Sequence, residues 1–122
     1  MIRYFWKAAC FAALAIPAQA QDTTPTELAQ CAGVWDAMFA FDLAAADAEY
    51  LDQYAEQAHI FYVLARHAAR GEQSAVLHIA RQQAKAELER ETDDDEIHGT
   101  IQACSDLHQH LMREGKFTET PG

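Results

Sequence analysis

From Thr26 to the end of the chain, apolar residues recur at three- and four-residue spacing, the period of a helix with one buried face. No stretch alternates apolar and polar residues as a half-buried strand would, and no segment repeats. Thr24-Pro25-Thr26-Glu27 opens the first helix with a capping hydroxyl, a proline near the first turn and an early acid. Its stripe is Leu28, Cys31, Trp35 and Met38, then, past a polar step at Asp42, Ala45. A second stripe runs through Leu51, Tyr54, Ala58, Phe61, Ala65 and Ala68, one position out of register with the first. Such a slip marks a break or a bend, and it falls in the segment 42–49, where Asp47 can cap a new helix. No glycine or proline enforces a turn there, so one long bent helix is the alternative.

Gly71 suits the end of the second helix, with Arg66, His67 and Arg70 in its last turn. The third helix is expected from about residue 72 to 91 on Leu77, Ala80, Ala84 and Leu88. The fourth follows the acidic run at 93–96, carries Ile97, Ile101, Cys104, His108 and Leu111, and stops near Gly115. The predicted fold is all-α: a small up-down bundle of four helices, or three if the first two are continuous, over residues 26–115. Residues 21–25 form a short N-terminal segment, and 116–122 a flexible tail.

The first 20 residues change the picture. Arg3 and Lys7 precede an apolar run from Ala8 to Ala18, followed by Ala18-Gln19-Ala20. This is the pattern of a signal peptide cleaved after Ala20, and the run is shorter than the roughly 20 residues that cross a membrane. An uncleaved anchor is the competing reading. Cys10 sits too early in the run for a lipidated cysteine. The expected location is therefore periplasmic, with no membrane attachment after cleavage. There a disulfide can form, and the processed chain holds two cysteines, Cys31 and Cys104, both on apolar stripes. In an up-down bundle the first and last helices are antiparallel, and the two cysteines come to heights within roughly 5 Å. A disulfide tying the terminal helices is the expectation, against two buried free thiols.

Charge narrows the partners. The formal net charge is −10 and becomes −12 once Arg3 and Lys7 leave, so nucleic acid and anionic lipid would repel the chain. Basic proteins and cations remain, although solubility alone explains such acidity.

Candidate chemistry is sparse. Glu56-x-x-His59 has the spacing of half a di-iron site, but its nearest companion, Asp95-x-x-His98, offers the wrong acid at a helix start. Covalent haem lacks its Cys-x-x-Cys-His, and non-covalent haem would need an inward pair such as Met38 with His108. The bundle topology would gather His67, His78 and His108 at one end, near His110, where neutral imidazoles can take zinc or copper. Singly hydrogen-bonded or exposed histidines are the competing reading. The run Asp93-Asp94-Asp95-Glu96 fails the calcium-loop pattern, which needs Gly and Glu where His98 and Cys104 stand. Ser74 and Ser105, the only serines, lie in no nucleophile elbow, and glycine is too scarce for a phosphate loop. No catalytic residue and no cofactor is expected.

Aromatic residues crowd the first two helices: Trp35, Phe39, Phe41, Tyr50, Tyr54, Phe61 and Tyr62 occupy more than one face. Phe41 and Tyr62 fall off the main stripes, so they either form a partner surface or belong to a wider core. By elimination, the leading functional expectation is a non-enzymatic envelope protein that binds another protein or itself through this aromatic side. An acid-responsive chaperone is a variant of that reading, because six histidines and nineteen acids all gain charge toward positive on acidification. The alternative is a metal- or haem-binding bundle using the histidine-rich end.

Overall fold

The computed structural model describes residues 23–69 and 74–115. The expected signal peptide and the whole of the expected tail lie outside the described residues, as does the connection at 70–73. Four helices follow in order: α1 (Pro25–Ala44), α2 (Leu51–Ala69), α3 (Ser74–Arg90) and α4 (Asp94–Arg113). No strand occurs among the described residues. The protein is a small all-α bundle, and none of these helices is long and apolar enough to cross a membrane.

The ends of the helices follow from local chemistry. Thr24 and Glu27 form a reciprocal capping box: the Thr24 hydroxyl accepts from the Glu27 N–H at 3.1 Å, and Glu27 accepts from the Thr24 N–H at 3.0 Å. At the other end of α1 the Ala46 N–H donates to the Leu43 carbonyl and the Asp47 N–H to the Asp42 carbonyl. This is a Schellman closure, which requires a left-handed residue at its turn. Ala46 supplies it with φ 58°, a conformation usually taken by glycine. The register slip in the sequence therefore corresponds to a true break between α1 and α2. Asp47 does not cap α2, which begins four residues later; its carboxylate instead accepts from the Glu49 N–H at 3.2 Å within the turn. Asp93 caps α4 by accepting from the Asp95 N–H at 2.9 Å, and Gly115 with φ 74° follows its last turn.

Helix α1 is the hub, and both α2 and α3 pack closely along it. Its sequence permits this because it is apolar or small on nearly every face. Ala29, Ala32 and Ala37 are fully buried beside Leu28, Cys31, Val34 and Trp35. At Gly33 the α3 backbone comes so near that a Cβ would overlap the Arg81 carbonyl oxygen and lie 3.0 Å from the Ala84 Cβ. The single stripe expected on this helix is thus only part of what it buries. On α3 the expected stripe holds, with Leu77, Ala80 and Leu88 buried. On α2 it holds from Ala58 to Ala65, but Ala68 is exposed and Ala69 packs against the core instead. A strict 3.5-residue spacing drifts against a 3.6-residue helix, and the last turn shows the accumulated error.

Two cross-links fix the bundle. Cys31 and Cys104 form a disulfide, with Cα atoms 5.6 Å apart, that ties α4 to the hub. It closes a loop of 73 residues, a constraint on the unfolded chain of about 4 kcal/mol on entropic grounds. The second link is polar. Arg81 on α3 donates from Nε to Asp36 Oδ2 at 2.6 Å and from Nη2 to Oδ1 at 2.9 Å, and its guanidinium lies 4.8 Å from the centre of the Tyr62 ring on α2. Each side chain of the Asp36–Arg81 pair is about three-quarters buried, so this bidentate contact with a ring beneath it joins three helices in partial shelter from solvent. The hydrogen bond to Asp36 raises the already high pKa of Arg81 and keeps its charge fixed.

Candidate functional site

Beside the hub, α2 and α4 leave a solvent-open cleft of about 390 Å³. Trp35 of α1 lines it, together with Tyr50, Tyr54 and Gln57 from the start of α2 and its approach, and Ile101, Ser105 and His108 from α4. The spacing on α4 places Ile101, Ser105 and His108 on one face, since residues three and four apart are helical neighbours. Tyr54 stacks on Trp35 with ring centres 5.8 Å apart and planes 19° from parallel, and Tyr50 follows at 6.1 Å, tilted by 40°. Tyr50 is 45% exposed, so one aromatic surface stands open at the mouth.

The polar atoms of the cleft are unusual. Trp35 is only 8% exposed, and its indole Nε1 is buried with no hydrogen-bond partner. The side-chain oxygen Oε1 of Gln57 is likewise buried and unpartnered. A buried donor or acceptor left unsatisfied costs about 1–3 kcal/mol, so two beside one cleft require an explanation. Neither can be exchanged for a charge: the lining contains no carboxylate, lysine or arginine. Burial raises the pKa of Tyr54, helped by the nearby Asp42 and Asp47 carboxylates, so its phenol stays protonated. Burial lowers the pKa of His108, whose ring meets the edge of Phe61 at 6.3 Å, which favours the neutral imidazole. The cleft is therefore neutral and aromatic.

The residues singled out in the sequence are placed as follows. His67 and His78 are exposed on α2 and α3, while His108 is half-buried in the cleft wall. Among the described residues no three His, Cys, Asp or Glu side chains gather where they could hold a metal ion, so the three histidines are not brought together. Phe41 and Tyr62 are half-buried and pack against the core, and Tyr62 also carries Arg81 on its face. Among the described residues the large apolar side chains that face solvent are others: Leu43, Tyr50, Val76, Ile79 and Met112. Met38, the other half of the pair weighed for haem, is also packed against the core.

Sequence reasoning missed Gln57, Ser105 and the polar character of the cleft. A signal for Gln57 exists, because it stands three residues after Tyr54 on the same face and next to the buried stripe at Ala58. These features define a class, a disulfide-linked helical bundle with an uncharged aromatic cleft at its side. Comparison with protein-family models, curated proteins and solved structures finds no match to this chain.

Proposed function

We propose that the chain is a non-enzymatic binding protein of the bacterial envelope, exported by its first 20 residues and acting through the aromatic side of its first two helices. The observation that carries this reading is the cleft itself. It is open and bordered by the Tyr50 ring, which is 45% exposed and continues a run of aromatic rings through Tyr54 to Trp35. Exposed aromatic surface beside an open cleft is what a bound partner covers. The lining favours recognition over turnover. It offers aromatic surface from Trp35, Tyr50 and Tyr54, with one imidazole that burial favours in its neutral form and one serine hydroxyl. A protein partner or a second copy can engage the same side, and Asp42 and Asp47, near enough to Tyr54 to help raise its pKa, add negative charge that a basic surface would meet.

Native, non-reducing mass spectrometry of the protein recovered from secreting cells tests this, with the wild type compared to Tyr50→Ala. The expected mass is that of residues 21–122 less two hydrogens, with an associated species whose occupancy falls in the variant. A full-length mass confined to the cytosol overturns the envelope assignment. A stoichiometric metal or haem adduct indifferent to Tyr50 overturns the binding mode and selects the histidine-rich alternative.

A further inference from the structure

Resting on the reading of the chain as a binding protein, we infer that the cleft between α2 and α4 docks an extended, arginine-bearing segment of a partner protein. An apolar side chain of that segment would lie in the cleft, and a neighbouring guanidinium would rest on Tyr50 beside the acidic turn that precedes it. The cleft is the first observation. Its lining is uncharged and includes Trp35, Tyr54 and Ile101. Its volume of about 390 Å³ lies within the range of roughly 300–1,000 Å³ typical of sites that receive compact groups. Tyr50 stands at its mouth with 45% of its surface exposed, and Leu43, 60% exposed, ends α1 just before the same turn.

The second observation is the distribution of charge. No lysine or arginine occurs between residues 23 and 65 or between 91 and 112. Arg81, Lys85 and Arg90 belong to α3, which contributes none of the described residues that line the cleft. Exposed acids, by contrast, adjoin the lining: Asp47 and Glu49 just before Tyr50, Asp52 next to Gln53, and Asp106 next to Ser105. Asp42 and Asp47 are near enough to Tyr54 to help raise its pKa. A field of one sign around a cleft concentrates the opposite charge there. The acids border the cleft without lining it, so the complement needs an apolar group and a cation side by side. A chain that carries both on adjacent residues meets that requirement, and a small free cation does not.

The third observation is a contact the fold makes within itself. Arg81 places its guanidinium 4.8 Å from the centre of the Tyr62 ring while donating twice to Asp36. Tyr50, with Asp47 and Glu49 close before it, offers the same combination of ring and carboxylate at an exposed position. A guanidinium can stack on a ring and pair with a carboxylate at once, and it sheds water more readily than an ammonium. Arginine is thereby selected over lysine.

The test follows ¹H–¹⁵N correlation spectra of the protein purified from secreting cells, with the backbone amides of residues 47–57 and 101–109 as reporters. The probes are a short acetylated peptide amide alternating arginine and leucine, its lysine and glutamate counterparts, and free arginine amide. The arginine peptide should shift the reporter amides saturably. The lysine peptide should bind about two- to fivefold more weakly, and the glutamate peptide and arginine amide should not saturate at roughly 1 mM. Tyr50→Ala should lose about two- to fivefold in affinity for the arginine peptide. Asp47→Asn combined with Glu49→Gln should lose a similar factor and flatten the salt dependence. Unchanged melting temperatures would show that these variants fold.

Reporter amides unmoved by the arginine peptide at roughly 1 mM overturn the inference. So do shifts confined to the acidic start of α4 at 93–96, or an affinity indifferent to Tyr50→Ala, since either would mean attraction by charge alone. Equal binding of the lysine peptide, the glutamate peptide or arginine amide overturns it as well. A Tyr50-dependent species in the mass spectrum without any response to the arginine peptide would leave the binding-protein reading standing and remove the basic segment alone. Loss of both would remove both.

Discussion

Ala46 holds a position that glycine usually fills. Its φ of 58° is set by the Schellman closure of α1, where two backbone N–H groups satisfy the last carbonyls of the helix. A Cβ in that conformation crowds the following carbonyl, and only the closure repays the cost. At the corresponding position after α4 the chain does place a glycine, Gly115 with φ 74°. Ala46→Gly is therefore expected to stabilise the protein, the relief of strain exceeding the extra freedom of the unfolded chain by about 0.5–1 kcal/mol. A rise in the urea midpoint at unchanged slope would show it. A fall would mean that the turn is not held left-handed in solution. Trp35 and Gln57 are the other residue-scale anomalies, since they carry unsatisfied atoms that the surrounding packing does not explain.

At the scale of elements, the hub helix explains why some of the architecture is legible in the sequence and some is not. Capping signals and apolar periodicity are local, so Thr24 to Glu27, the slip before Leu51 and the acidic start of α4 each mark a real boundary. The disulfide is legible too, because both cysteines ride apolar stripes on the helices that begin and end the bundle. What periodicity cannot carry is close approach. Gly33 reads in sequence as a weak point in a helix, since glycine lowers helix propensity by about 1 kcal/mol against alanine. In the fold it is the place where α3 presses its backbone on α1. Asp36 and Arg81 are 45 residues apart, and nothing local announces their pairing. The cleft was illegible for a related reason: Gln57, Ser105 and Gln109 are polar edge residues that a stripe leaves to solvent, and only the spacing of α2 from α4 converts them into a wall. Gly33→Ala should accordingly lower stability despite the better propensity of alanine, by about 1–3 kcal/mol from overpacking. The clash is with a backbone carbonyl, which cannot swing aside as a side chain can. A variant whose unfolding midpoint equals or exceeds that of the wild type would show that α1 and α3 are less tightly apposed.

For the molecule as a whole, acidification sets two effects against each other, and His108 decides where they separate. Lowering the pH neutralises part of a net charge of −10, which relieves self-repulsion and favours the compact state. His108 acts in the opposite direction. Burial lowers its pKa in the folded protein below the unfolded value near 6.5, so the unfolded chain binds the proton first. The stability contributed by its neutral form is present above the unfolded pKa and is lost as the pH falls from about 6.5 toward the folded value, below which the loss is complete. Melting temperatures measured from pH 7.5 to pH 5 on the wild type and on His108→Gln isolate the contribution, since general charge relief is common to both proteins. The wild type should lose stability relative to the variant across this interval, and the difference between the two curves should level off at the acid end. Because His108 sits on the wall opposite Tyr54, the same protonation would place a charge in a site that is otherwise neutral and would weaken any neutral ligand bound there. Parallel melting curves for the two proteins would show that His108 does not titrate differently on folding, and would remove the pH sensitivity of the cleft along with it.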